Sequence, residues 1–378
     1  MSRRRYAIVA GGGTGGHVFE ALAVARALCD AGHEPEEIEI VGSRRGQEAT
    51  LLATTGFPLT LLPGRGIVRR MGPKDVLANT GAVAGTVWAT LRAWAAMAIR
   101  RPRVVVSVGG YASFPAAVAA VAWRVPLVLV NIDAVPGLVH RLLGRRAAAS
   151  AVAFAGTPLP RTVVTGTPVR DEVVGVLRSP DTARRARSAL GIPVERTTVA
   201  AFGGSLGART INEAVATLAR RWSERGDRTL YHVTGRRAWD PEGRGFDDGA
   251  DVVSGKLCYR RVPFEDRMEL LYQAADVMVC RAGAVTVAEL AVVGIPAVLV
   301  PLPGAPSDHQ TANARSLATA GAAVLLPDAE CDGARLANAL EELLSDPGRL
   351  DAMATAARLL GHPDAAARVA EVVVRHAR

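Results

Sequence analysis

The sequence predicts an α/β protein of two Rossmann-like domains that face each other across a cleft. Three observations carry this. A short apolar strand near the N-terminus runs into a glycine loop and then a helical segment; the same order of elements returns at Thr198; and 378 residues are too many for one ordinary domain but suit two. Apolar residues make up 49% of the chain, enough to bury two cores.

The first opening is the strand Tyr6–Ala10, the loop Gly11-Gly12-Gly13-Thr14-Gly15-Gly16 and the helix Ala21–Leu28. The loop satisfies G-x-G-x-x-G, in which missing side chains let backbone amides approach a phosphate or sugar at a helix N-terminus. Taken alone it reads as a dinucleotide site. The next strand, Ile38–Val41, however, ends in Gly42-Ser43-Arg44-Arg45 without an acidic residue for a ribose, so an oxidoreductase reading is left with NADP at best. His17 follows the loop, where a neutral imidazole can take a proton from a sugar hydroxyl; a lone histidine there can also simply cap or pack.

Val104–Val108 and Leu127–Val130 read as buried parallel strands, so the first half is α/β. Glycine and proline punctuate Thr165-Gly166-Thr167-Pro168-Val169-Arg170, the candidate hinge. The expected domains are 1–168 and 169–360, with a terminal helix near 361–378 packing back on the first. In the second half the strand Thr198–Phe202 leads through Gly203-Gly204-Ser205-Leu206-Gly207 into the helix Ala208–Leu218. Val277–Cys280 and Ala297–Val300 are further strands, with the helix Thr286–Val293 between them, stopped by Gly294 and Pro296.

Charge is uneven. The formal net charge is +9, and residues 1–170 hold 20 Lys/Arg against 9 Asp/Glu, so the excess belongs to the first half. That asymmetry suits an anionic partner, although a general bias toward arginine, with Lys74 and Lys256 the only lysines, produces the same count. Arg65–Arg103 places eight basic residues and a single acid, Asp75, beside Trp88 and Trp94, a composition that suits anionic lipid headgroups; an amphipathic helix with its tryptophans in the core reads the same way. No nucleic-acid-binding motif accompanies these charges, so nucleic acid is not expected as a partner. Val76–Ile99 and Phe114–Val130 are interrupted by Asn79 and Arg92 and by Arg124 and Pro126, and no transmembrane helix is expected. Cys29, Cys258, Cys280 and Cys331 are scattered, without metal-ligand or disulfide spacing, which fits a reducing cytoplasm, and nothing marks the N-terminus for export.

Beyond Gly13-Thr14-Gly15-Gly16-His17-Val18-Phe19, the chain carries in order Gly109-Gly110-Tyr111, Gly203-Gly204-Ser205-Leu206-Gly207-Ala208, Arg281-Ala282-Gly283-Ala284-Val285-Thr286-Val287-Ala288-Glu289, Gln310 and Asn313. Together these resemble the MurG family over nearly the full length. The resemblance implies a GT-B glycosyltransferase that moves N-acetylglucosamine from UDP-N-acetylglucosamine to lipid I, undecaprenyl-diphosphate-N-acetylmuramoyl-pentapeptide, with inversion, peripherally bound at the cytoplasmic face of the membrane. It implies that Glu289 binds the ribose, Arg170 and Ser205 the diphosphate, and Gln310 and Asn313 the sugar hydroxyls. It further implies main-chain contacts to uracil near Phe264 and Glu265, and substrate contacts at Thr14, Gly15, Gly16, Tyr111, Asn212, Ala284, Val285 and Thr286. His17, or else Asp133, would be the general base. Neither a D-x-D motif nor a His/Cys/carboxylate cluster is present, so no metal or other cofactor is expected. One departure stands out: where the family has His-Glu-Gln-Asn before Ala-Val-Pro-Gly, this chain has Val130-Asn131-Ile132-Asp133, which puts the acceptor in doubt more than the donor. The rival readings are a related transferase acting on another glycolipid or natural product, an NADP oxidoreductase, and a non-catalytic binder of lipid-linked sugars.

Overall fold

The structure, a computed structural model, describes residues 5–12, 15–44, 52, 55–63, 73–238 and 256–378. Two compact units emerge: Met1–Val169 with His362–Arg378, and Arg170–Gly361.

The first unit has strands β1 (Ala7–Gly11), β2 (Ile38–Ser43), β3 (Leu59–Leu62), β4 (Val104–Gly109), β5 (Leu127–Asn131), β6 (Ala149–Val152) and β7 (Thr162–Val164). They form one sheet in the order β3-β2-β1-β4-β5-β6-β7, with parallel pairing throughout. Side chains alternate across a strand, and here the alternation divides two cores. Ala7, Val9, Val104, Val106, Val128 and Val130 pack on one face with Val24 and Leu28 of the helix Gly15–Asp30 and with Val369, Val372 and Val373 of the terminal helix Ala365–His376. Ile8, Ala10, Val105, Leu127 and Leu129 pack on the other, against Ala89, Ala93 and Met97 of the helix Pro73–Arg100 and Ala116 and Ala120 of the helix Phe114–Ala122. The central strands, buried on both faces, are apolar at nearly every position, which is why they read as continuous Val/Ala/Leu runs.

The second unit repeats the plan with β8 (Thr197–Phe202), β9 (Arg228–Val233), β10 (Cys258–Val262), β11 (Val277–Cys280), β12 (Ala297–Leu299) and β13 (Ala323–Leu325), ordered β10-β9-β8-β11-β12-β13 and all parallel. In both sheets the winding reverses once, between β1 and β4 and between β8 and β11. Connections on either side of such a point run to opposite faces and leave a crevice at the carboxyl ends of the strands. The glycine loops Gly11-Gly12, Gly109-Gly110, Gly203-Gly204 and Gly283 lie at those ends.

Two expectations change. The first helix begins at Gly15, not Ala21, so His17 and Glu20 lie within its opening turns. The helix expected at Thr286 begins at Ala284, with Gly283 as its N-cap. Within Pro73–Arg100 the segment Thr80–Arg100 is long and apolar enough to cross a membrane, by length and composition only. Asn79 falls outside that segment, and Arg92 alone does not break it. In this structure Ala89, Ala93 and Met97 on one face pack with the sheet and the neighbouring helix, while Val83, Val87, Trp88, Leu91, Trp94 and Ile99 are exposed.

Candidate active site

At the carboxyl ends of β1, β4 and β5 the first unit gathers His17, Glu20, Gly110 and Asp133. His17 and Glu20 are three residues apart on one helix, hence on one face, and His17 Nδ1 lies 3.4 Å from Glu20 Oε2. Gly110, with φ +72°, has no room for a side chain: a Cβ there would lie 2.2 Å from the Gly12 carbonyl oxygen and 3.0 Å from the His17 ring. Burial acts to lower the His17 pKa, but the bond to Glu20, the charges of Glu20 and Asp133 and the Val108 carbonyl outweigh it and raise it. Burial pushes Glu20 up to about 7, against the pull of His17 and with help from Asp133.

The altered loop after β5 is anchored from within. Asn131 Nδ2 donates to the Asp133 carbonyl at 2.6 Å, and its Oδ1 lies 3.1 Å from His140 Nδ1. The Ser107 hydroxyl is 3.2 Å from His140 Nε2. The Ser107 carbonyl oxygen lies 3.1 Å from the same Nε2, and burial depresses the His140 pKa to about 4, keeping the ring neutral. Tyr111 donates its hydroxyl to Ser43 Oγ at 2.9 Å, tying the exit of β4 to the end of β2. Gly15 and Gly16 open the first helix, and Thr14 lies outside the described residues.

The second unit builds its polar cluster around Glu289, the sixth residue of the helix Ala284–Val293. Arg170 donates from Nε and Nη2 to Glu289 Oε1 at 3.2 and 3.0 Å, and Tyr272 donates its hydroxyl to Oε2 at 2.7 Å. Glu289 is 5% exposed, so it is no solvated helix glutamate. Burial, the glutamate's charge and its bond together hold the Tyr272 hydroxyl well above its ordinary pKa, so it stays a donor. Gly283 at the N-cap of the same helix supplies no side-chain cap to the amides of Ala284, Val285 and Thr286 at its positive end. Asn313 Nδ2 reaches the Ala282 carbonyl at 3.2 Å, and Gln310, one turn earlier on the helix His309–Thr319, accepts the Leu302 amide at 2.9 Å.

The remaining residues are spread more widely. Ser205 is exposed in the loop after β8, whose turn requires Gly207: at φ +80° a Cβ would lie 2.2 Å from the Thr234 carbonyl oxygen. Phe264 carries the Arg236 guanidinium 4.2 Å above its ring. The Glu265 carboxylate is held inside by Tyr231 at 2.6 Å and by Arg267. Asn212 is not brought to the cluster. It is fully buried, donating to the Thr234 carbonyl at 2.9 Å and accepting from His232 Nε2 at 3.0 Å, a wholly internal network.

Sequence reading missed Glu20, His140 and Tyr272. Glu20 had a signal in its i, i+3 spacing from His17, hidden because the helix was expected to start at Ala21. Tyr272 sits in an unremarkable helix, Met268–Ala274, and has no signal in the sequence.

Known proteins match the whole chain. Residues 7–152 match the glycosyltransferase family 28 N-terminal domain and residues 198–369 the family 28 C-terminal domain. A relative from Alkalilimnicola ehrlichii, described as UDP-N-acetylglucosamine--N-acetylmuramyl-(pentapeptide) pyrophosphoryl-undecaprenol N-acetylglucosamine transferase, is 41% identical over 98% of this chain and 99% of its own. A relative of the same description from Desulforudis audaxviator is 35% identical over 97% of each chain. The crystal structure of Acinetobacter baumannii MurG superimposes with a TM-score of 0.78 and 28% identity, covering 98% of this chain and 99% of that one. By domain content, full-length identity and fold, the chain belongs to glycosyltransferase family 28 and, within it, to the MurG family, and it is a GT-B glycosyltransferase.

Proposed function

We propose that the enzyme transfers N-acetylglucosamine, with inversion, from UDP-N-acetylglucosamine to lipid I, producing lipid II for peptidoglycan synthesis. The observation that carries the donor half is the cluster of Arg170, Glu289 and Tyr272 beside the uncapped amides of Ala284, Val285 and Thr286. A carboxylate whose two oxygens are already oriented is a ready acceptor for a ribose diol. A guanidinium and a helix N-terminus suit a diphosphate and the charge that grows on it as UDP departs. Ser205 adds a hydroxyl to that charge, and Gln310 and Asn313 lie on the helix that would meet the sugar. Main chain at Phe264 and Glu265 reads the uracil. No metal or other cofactor takes part. Residues 169–360 form the donor domain and residues 1–168 the acceptor domain.

On the acceptor side His17 takes the proton of the attacking hydroxyl, and Asp133 raises its basicity. Tyr111, Gly15 and Gly16 line the same strand ends, and Thr14 belongs with them. The exposed row Val83, Val87, Trp88, Leu91 and Trp94, continued by Trp123 with its ring 5.3 Å from that of Trp94, is a docking face for the cytoplasmic side of an anionic membrane. Arg92 and Arg124, both exposed, supply positive charge beside it. Nucleic acid is not a partner.

Two measurements on one purified sample test this. UDP-N-acetylglucosamine raises the melting temperature and NADP does not, because a ligand that binds only the folded state stabilises it. Radiolabelled N-acetylglucosamine then appears on lipid I. Label on another glycolipid but not on lipid I would overturn the acceptor assignment and point to the altered loop after β5.

A further inference from the structure

Glu20 occupies a place where a carboxylate has no packing purpose. Its neighbours on the helix, Val18, Ala21 and Val24, belong to the apolar core, and Glu20 itself is 3% exposed. One oxygen, Oε2, meets His17 Nδ1 at 3.4 Å; the other, Oε1, is buried with no hydrogen-bond partner among the described residues. An ionised carboxylate so placed costs several kcal/mol relative to an apolar side chain, so its presence calls for a use. The loop after β5, where the resembled family has a glutamate, offers Asn131 instead, and that side chain is taken up by His140 and the Asp133 main chain.

We infer that Glu20 is the positioning residue of His17: its carboxylate receives Nδ1–H, fixes the tautomer and orientation of the ring, and stabilises the imidazolium that forms when the other ring nitrogen takes the acceptor's proton. The inference rests on the reading of His17 as general base. In the step, the acceptor O–H bond breaks and its proton passes to His17. The oxygen then bonds to the anomeric carbon, and the bond from that carbon to the diphosphate oxygen breaks, its electron pair leaving with UDP. Glu20 exchanges no atom with substrate; it holds the charge that His17 acquires.

The electrostatics agree with that geometry. Among the described residues, the titratable groups that face the pair are Asp133, whose negative charge favours the imidazolium, and His140, which burial keeps neutral. A histidine raised above its ordinary value beside a carboxyl pushed up to about 7 titrates as a unit, and the acid limb of activity belongs to the pair.

Glu20→Gln keeps the shape and removes the charge. In this variant kcat falls about tenfold or more while the KM for UDP-N-acetylglucosamine stays within about twofold, and the acid limb of the kcat profile moves to lower pH. The imidazole of His17, followed by NMR in the free protein and assigned with a His17→Gln sample, titrates at lower pH in Glu20→Gln than in the unmodified enzyme. An unmoved acid limb or an unmoved His17 titration overturns the inference. If Glu20→Gln does not fold, the unmodified protein decides: His17 titrating at or below an ordinary histidine value overturns the pairing, and a raised value supports it. Lack of transfer to lipid I by the unmodified enzyme counts against the acceptor reading alone, since the titration needs no acceptor.

Discussion

Each unit places a buried glutamate at the sixth residue of a helix that follows a glycine loop at a strand's carboxyl end, yet the two carboxylates differ. Glu289 has both oxygens satisfied, by Arg170 and Tyr272. Glu20 has one long contact to His17 and one oxygen with no partner among the described residues, and burial drives it up to about 7. The scaffold is the same and the partners decide the chemistry. A carboxylate given a guanidinium and a hydroxyl is a fixed hydrogen-bond acceptor, suited to holding a ligand; one given a histidine and little else is poised to share a proton, suited to the reaction itself.

The largest expected effect breaks the first site and spares the second. His17→Ala lowers kcat by about 10²- to 10⁴-fold, the usual worth of a general base, while the UDP-induced rise in melting temperature is unchanged. A variant that keeps full activity removes His17 from the mechanism. Glu289→Gln does the reverse. Losing the charge on a buried acceptor weakens UDP-N-acetylglucosamine binding by about tenfold or more, read as KM and as a diminished thermal shift. Unaltered donor affinity would mean that Glu289 only holds Arg170.

Stability sharpens the contrast. The folded-state pKa of Glu20 lies above the ordinary carboxyl value, so the native state holds its proton longer than the unfolded chain does. Stability is therefore lost as pH rises from about 4.5 toward 7. Glu20→Gln removes that loss and raises the melting temperature at pH 8 more than at pH 5. An equal change at both pH values would show that Glu20 is not buried as described. Trp88→Glu with Leu91→Glu reduces association with anionic vesicles about tenfold, measured by co-sedimentation, with UDP binding intact. Tyr272→Phe is the mildest change. It deletes one hydrogen bond and nearly keeps the volume, weakening donor binding a few-fold through Glu289 and lowering stability by about 1 kcal/mol.

Much of this was legible because parallel strands and glycine loops impose strong local rules. Val9, Val106 and Val128 announce themselves through apolar runs, and Gly203-Gly204 and Gly283 by the helices they precede. Candidate site residues can be singled out in the sequence where they sit at a fixed step from a glycine loop, as His17 and Glu289 do. It was not legible where the partner comes from a distant segment: Tyr272 reaches Glu289 across 17 residues and Arg170 across 119. Asn212 shows the same limit, since only the fold reveals that its side chain bonds Thr234 and His232.

By itself the sequence determined the two α/β units, the central strands of each, the family and the glycine loops, because backbone conformation and burial on both faces of a sheet are written in short-range pattern. Tertiary structure decided which carboxylate is satisfied on both oxygens and which meets a histidine on one. That depends on burial and on partners brought together by folding, and neither is encoded in the spacing of any one motif.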